Sequence, residues 1–403
     1  MWRMAERIVS PTGRGFLLLD AHPTGCFRSV ADLRPAAGGT ASGRVALVIG
    51  SSAGYGLATT VAGLARHGIR GLGIGFERPP GRRTATAGWY RTIATDALAA
   101  ELGCDFSFLN ADAFADTTKA EALDLIAERF GGLDYLIYSV AAPRRTDPRT
   151  GTTYQSVIKS LGAVNATRTL EFDSDGTPAL REIGVEPASD AETEATVKVM
   201  GGEDWSRWVT ALGDRGLLRD GFRTVALSYI GSDLTSGIYR AGTIGAAKAH
   251  LEATALDLDK RLAEAGGRAL TSVNGAAVTQ ASTAIPGIAL YVSLLRGVLG
   301  DAMRSPMEQS IRLWEQLTGA QPLDLDEEGR IRLDRWELDP DVQAAVAERW
   351  RAITPETVAD LADVGWFRAQ FRGLYGFDVP GVDYGTPVEP DLPWPTPRAA
   401  AAG

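Results

Sequence analysis

The chain has 403 residues, 45% of them hydrophobic and 23% charged, and a formal net charge of −9. That balance suits a globular protein with a sizeable core and argues against a nucleic-acid partner, which needs a basic face to displace counterions from phosphates. Two cysteines (Cys26, Cys104) and three histidines (His22, His67, His250), all scattered, give neither a disulfide framework nor metal-ligand spacing, so a reduced, cytoplasmic protein with no metal site is expected.

Near the N-terminus the apolar run at residues 16–19 is too short for a secretory signal, and no signal peptide is expected. Residues 44–50 hold a short continuous apolar run after Arg44 and end in glycine, the pattern of a strand covered on both faces. A helical pattern follows over residues 57–67. Residues 71–76, 105–110, 134–139, 223–230 and 269–274 read as further buried strands, with helical patterns such as 117–130 between the earlier ones. This alternation predicts an α/β fold with a Rossmann-like, doubly wound parallel sheet.

About 80 residues separate the fourth and fifth strands, too many for an ordinary crossover. The polar stretch within this interval predicts an insertion, about residues 144–205, on the carboxyl-end side of the sheet and over the site. Residues 269–295 carry no charge but hold Asn274, Gln280 and Pro286. A strand, a turn and a buried helix are expected there, with no membrane insertion. Residues 300–384 read as mainly helical, so that 1–384 form one body. The Pro- and Ala-rich stretch 385–403 reads as an extended or disordered tail.

Gly50, Ser51, Ser52, Ala53, Gly54, Tyr55 and Gly56 leave the first strand and open a helix with the spacing G-x3-G-x-G. A dinucleotide needs such glycines for the tight turn and for close approach of its pyrophosphate, which then meets the helix N-terminus. Glu77 ends the second strand, 21 residues after Gly56. A carboxylate there binds the adenosine ribose hydroxyls and repels a 2′-phosphate, favouring NADH over NADPH. Arg78, Arg82 and Arg83 lie close enough to offset part of that preference. Asp112 follows the third strand at the adenine end, and residues 139–141 follow the fourth toward the nicotinamide.

Tyr239 and Lys248 follow the fifth strand. A phenol there would protonate a reduced substrate, and a nearby ammonium would lower the phenol's pKa and bind the nicotinamide ribose. Their separation of nine residues turns a straight helix by about 900°, onto opposite faces. Either the two do not cooperate or the chain bends between them. Gly242 and Gly245 are candidate bend points, and Thr243 is a candidate cap for the helix running to Lys260.

At this point the sequence resembles the FabV-type trans-2-enoyl-CoA and enoyl-acyl-carrier-protein reductases, an enlarged short-chain reductase branch whose hallmark is Y-x8-K. The resemblance runs in order through AHPTGC (21–26), GSSAGYG (50–56), FERP (76–79), TAGWY (86–90), AAPRRTDP (141–148) and VKVMGGEDW (197–205). It continues through SYIG (228–231), IYRAGTIGAAK (238–248), VTQASTAIP (278–286) and GVDY (381–384). PRRTDP and GGEDW are the specific members, because no generic dinucleotide fold needs them.

The resemblance implies NADH-dependent reduction of the 2,3 double bond of enoyl-CoA or enoyl-acyl-carrier-protein, in fatty acid synthesis, by a monomer. It places the cofactor phosphates on residues 50–55, the adenosine on Phe76 and Glu77, and adenine beside Asp112 and Ala113. Val140 and Ala141 fall at the ribose and nicotinamide, and Ala277, Val278 and Thr279 at the carboxamide. Tyr229 binds substrate, Tyr239 donates the proton and Lys248 binds NAD. Where the family carries bulky aromatics around the tyrosine, this chain has Ser236 and Arg240, leaving acyl preference open. The uncharged residues 281–295 are a candidate acyl-pocket wall, or equally a plain core helix. Two other readings stand beside this one: a carbonyl-reducing enzyme with the same Tyr and Lys, and a non-catalytic NAD-binding regulator.

Overall fold

Seven strands form one all-parallel sheet in a computed structural model that describes residues 6–35, 42–172 and 177–396. They are β1 (Val45–Ile49), β2 (Arg70–Gly75), β3 (Phe106–Asn110), β4 (Leu133–Tyr138), β5 (Leu218–Ser228), β6 (Arg268–Val273) and β7 (Ile331–Arg332). Their order is β7-β6-β5-β4-β1-β2-β3. Every residue of β1 and β4 is buried, so their sequences show no alternation: helices cover both faces. The two-residue β7, paired with β6 through Ser272 and Val273, went unforeseen, being too short to carry a pattern.

On one face lie helices Gly54–His67 and Pro306–Thr318, which enclose Val61, Leu64, Leu313 and Trp314 against β1 and β3. On the other lie Asp116–Phe130, Glu203–Asp214 and Thr243–Leu262. In Glu203–Asp214 the apolar residues Trp205, Trp208, Val209 and Leu212 recur at helical spacing, and all four are buried. Each contributes about 2–3 kcal/mol of burial. A third core joins Leu170 and Val185 to Tyr239, to Ile288–Leu299 and to the C-terminal helices. The charge-free stretch is thus a strand, a loop and a buried helix, and no helix among the described residues is long and apolar enough to cross a membrane.

The insertion contains short antiparallel pairs at Arg144–Thr146 and Thr153–Gln155, a hairpin of Asn165–Phe172 with Pro178–Val185, and helix Asp190–Met200. PRRTDP and GGEDW prove to be two halves of one polar clasp. Arg207 forks onto both oxygens of Asp147 at 2.9 and 3.0 Å and also reaches Glu203. Arg145, 1% exposed, donates to Lys198 O at 2.7 Å and lies 3.5 Å from Glu203, which places it inside the clasp. Asp204 is buried with Lys119 at 2.8 Å and Tyr138 at 3.1 Å. Asp147→Ala is expected to destabilise the fold by about 2 kcal/mol, because the half-buried Arg207 guanidinium loses its fork and keeps only Glu203. Urea unfolding checks this, and a loss below about 0.5 kcal/mol would remove the clasp from the energetics.

Residues 385–396, expected as a loose tail, are extended but anchored. Trp89 Nε1 donates to Leu392 O at 2.8 Å, Tyr90 donates to Pro390 O at 2.8 Å, and Trp394 Nε1 donates to Phe108 O at 3.1 Å. The Trp89 and Trp394 rings meet edge-on at 4.9 Å. Composition suggested looseness, but the tryptophan of this proline-rich run supplies an apolar anchor. Residues 397–403 lie outside the described residues.

Candidate active site

The strand order reverses between β1 and β4, and the crevice at their carboxyl ends is where ligands bind in such sheets. Gly50 turns there with φ +87°, and a Cβ on it would lie 1.9 Å from Ser139 O. A Cβ on Gly56 would lie 2.0 Å from Gly50 O. Helix Gly54–His67 begins at Ala53 with no side-chain cap, so its first N–H groups are available to an anion. The buried Ser51 hydroxyl has no hydrogen-bond partner. The Tyr55 hydroxyl is committed to Gly275 O at 2.7 Å, which leaves only its backbone for the phosphates.

At the end of β2, Phe76 is 73% exposed, a free face for a planar base. Beside it Glu77 is half-buried and held: Ser52 donates to one carboxylate oxygen at 2.6 Å and Thr86 to the other. Asn110, closing β3, clamps the Glu77 backbone at 2.7 and 2.9 Å. Arg78, Arg82 and Arg83 line a neighbouring cleft of about 570 Å³. Asp112 accepts Phe114 N at 3.0 Å, and Ala113 O accepts Lys119 Nζ at 2.9 Å. Val140 is half-buried and Ala141 exposed just past β4. The loop bearing Ala277, Val278 and Thr279 is closed by Ser282, which receives Thr279 N at 2.8 Å and donates to Ala277 O at 2.9 Å. Its Thr279 side chain faces Gly54. These features fit a dinucleotide laid from Phe76 across Gly50–Gly56 toward Val140 and Thr279.

The chain between Tyr239 and Lys248 is broken as their spacing requires. Ser236–Tyr239 is one helical turn; Arg240 leaves the helix at φ −120°, ψ −42°, and Gly242 is extended at φ −123°, ψ −178°. The next helix starts at Thr243. Thr243 does not cap it: its hydroxyl donates to Val157 O at 2.6 Å, in the insertion. Thr243 N donates to Lys159 O at 2.9 Å and Leu161 N to Ala241 O at 3.1 Å, so the insertion grips the bend itself. Gly245 permits a close pass, since a Cβ there would lie 2.2 Å from Arg240 O.

Tyr239 is 4% exposed, and its ring stands edge-on to Tyr229 at 4.6 Å. Burial, and secondarily the charge of Glu337, raise its pKa, and among the described residues no ammonium acts to lower it as the sequence led one to expect. A raised value keeps the phenol neutral at pH 7, as a proton donor must be. Burial pushes Lys248 down to about 8, with Glu252 opposing. Among the described residues no hydrogen bond or ion pair engages the Tyr239 hydroxyl or the Lys248 ammonium.

Sequence reasoning missed Glu337. It is fully buried and accepts the Tyr229 hydroxyl at 2.7 Å, the Tyr291 hydroxyl at 2.8 Å and Ala276 N at 2.5 Å. It sits in an Asp-, Glu- and Arg-rich stretch that reads as solvated, and its partner Tyr229 is 108 residues away. No local signal could have found it.

A doubly wound parallel sheet with this glycine turn at its switch point is the frame of a dinucleotide-dependent enzyme. Comparison narrows this further. The family profile described as "Trans-2-enoyl-CoA reductase catalytic region" matches residues 83–318, flanked by "NAD(P)H binding domain of trans-2-enoyl-CoA reductase" at 8–82 and "Enoyl reductase FAD binding domain" at 325–388. The enoyl-[acyl-carrier-protein] reductase [NADH] of Streptomyces avermitilis is 72% identical over 391 residues, 96% of this chain and all of that one. The crystal structure of Treponema denticola trans-2-enoyl-CoA reductase in complex with NAD superposes with a TM-score of 0.88 at 40% identity, over 95% of this chain and 98% of that one. The Clostridium acetobutulicum enzyme in complex with NADH gives 0.89 at 35% identity, over the same shares. The chain belongs to the trans-2-enoyl-CoA reductase family.

Residues 325–388 do not fit a flavin. They contain no glycine turn leading from a strand into a helix. Two of their seven arginines, Arg330 and Arg332, are held by Asp326 and Asp334, and Glu337 is committed to the two tyrosines. No chemical step is assigned to such a group.

Proposed function

We propose that this chain reduces the 2,3 double bond of trans-2-enoyl thioesters, carried on acyl carrier protein or coenzyme A, using NADH, with Tyr239 as proton donor. The observation that supports the residue assignment is the pair of unengaged polar ends, Tyr239 and Lys248, on either side of a built bend. Among the described residues neither group has a protein partner, which suits both to ligands, as it does the buried Ser51 hydroxyl on the cofactor side. Bound NADH supplies the hydride, to C3 of the substrate. As negative charge develops on the thioester oxygen, Tyr239 donates a hydrogen bond to it and supplies the proton that ends at C2. Lys248 holds the nicotinamide ribose and keeps the local potential positive. Tyr229 lies against Tyr239, where it can add a second donor.

The remaining cofactor assignments follow the crevice: residues 50–55 for the phosphates, Phe76 and Glu77 for the adenosine, Asp112 and Ala113 for adenine, and Val140, Ala141 and 277–279 for the nicotinamide end. A shared core of insertion, sheet exit and C-terminal helices supports a single body over 1–384. The same proposal makes it a monomeric, cytoplasmic enzyme of fatty acid synthesis.

NADH oxidation measured with crotonyl-CoA and acetoacetyl-CoA side by side tests the reaction. Consumption of the first alone is expected; a faster rate with the second would make the chain a carbonyl reductase. Glu77→Ala should shift the NADH/NADPH ratio of kcat/KM toward NADPH by about tenfold, the equivalent of ~1.4 kcal/mol for lost ribose contacts and relieved repulsion. An unchanged ratio would remove Glu77 from cofactor choice.

A further inference from the structure

Five carboxylates are fully buried among the described residues: Asp134, Asp147, Asp204, Asp334 and Glu337. Asp134 and Asp147 pair with arginines, Asp204 with Lys119 and Asp334 with Arg332. Glu337 has no cation. Its stabilisation comes from the three donors named above, two of them phenols: one oxygen takes Tyr229 and Tyr291, the other takes Ala276 N. The Gln343 amide in turn donates to the Tyr291 oxygen at 3.1 Å and to Glu337 O at 2.6 Å.

A phenol has one proton. While Tyr229 gives it to the carboxylate, Tyr229 presents only lone pairs to anything else and cannot donate to a substrate oxygen. When Glu337 takes a proton from solvent, the oxygen facing the phenols gains one O–H; directed at Tyr229, which then accepts, it releases the Tyr229 proton, while Ala276 N stays bonded to the other oxygen. We propose that Glu337 is a positioning residue which, by gaining and losing one proton, decides whether the Tyr229 hydroxyl is turned inward or is free to donate to the thioester oxygen beside Tyr239. This rests on the enoyl-reductase reading above.

The surroundings set the range in which this acts. Burial pushes Glu337 up to about 7, opposed by the hydrogen bonds from Tyr229, Tyr291 and Ala276. The ionisable groups facing it are Tyr229, Tyr291, Tyr239, Tyr55 and Asp334. The four phenols are pushed up by burial and stay neutral, and the charge of Asp334 is met by Arg332 at 2.7 and 2.8 Å. Lys248 titrates separately, near 8.

The test is kcat against pH, from 6 to 8.5, with crotonyl-CoA and saturating NADH, for wild type, Glu337→Gln and Tyr229→Phe. Wild type is expected to lose roughly tenfold in kcat as pH rises through about 7, as one donor to the developing oxyanion is withdrawn. In Glu337→Gln the amide oxygen can accept Ala276 N while its NH2 donates to both phenols, so Tyr229 is an acceptor on that side at every pH. Its profile should lack the step near 7 yet keep any feature near 8. Tyr229→Phe should lack the same step, and it carries the test alone if Glu337→Gln does not fold. A wild-type profile without the step, or a step surviving in either variant, overturns the proposal. An enzyme that consumes no crotonyl-CoA at any pH fails the enoyl-reductase reading instead.

Discussion

Tyr239→Phe is expected to lower turnover by about 100-fold or more while NADH binds as before. One well-placed donor to a developing oxyanion contributes on the order of 3–4 kcal/mol, and Tyr239 also supplies the proton. The substitution is clean in physical terms. The hydroxyl holds no protein partner among the described residues, so its loss orphans nothing, and the phenyl ring keeps the edge-on contact with Tyr229. Steady-state kinetics with crotonyl-CoA and a fluorescence titration of NADH separate the two effects. Normal turnover in this variant would end the assignment of Tyr239.

Lys248→Met should move activity and stability in opposite directions. Turnover falls by about 100-fold or more, because the positive potential at the site and the ribose contact both go. Stability rises, for the following reason. The folded pKa is about 8 against an ordinary 10.5. Below pH 8 the ammonium is charged in both folded and unfolded chains, and the folded state bears the full cost of burying it. Between 8 and 10.5 the folded state sheds the proton first, and that cost fades. Since Lys248 keeps some solvent exposure, the gain at pH 7 is on the order of 2 kcal/mol. It should shrink by pH 10. Urea unfolding of both proteins at the two pH values measures it, and equal stability at pH 7 would mean that the ammonium is not desolvated.

The sheet was legible because buried parallel strands announce themselves: six of the seven were placed within a few residues by short, mostly apolar runs alternating with helical patterns. The glycine turn was legible because its constraint is local to the strand it ends. The bend at Arg240–Gly242 was legible by contradiction, since nine residues of straight helix would have separated the pair. Three features were not. Thr243 reads as a cap by sequence position, but the backbone of a segment about 85 residues earlier claims its hydroxyl. The raised pKa of Tyr239 depends on burial by elements that meet only in three dimensions. Glu337 is the clearest case: a carboxylate among charges looks solvated until the fold places two tyrosines over it.

The tail strap has a further consequence at the opposite end of the described chain. Arg7 and Val388 exchange two backbone hydrogen bonds, at 3.1 and 2.9 Å, so these residues lie side by side. A Gly/Ser linker returning along the strap from Trp394 to Arg7 would join the two described ends, and the chain could be reopened in an exposed turn such as the one at Gly216, before β5. The order in which the sheet and its strap are synthesised would then be separable from the architecture they complete.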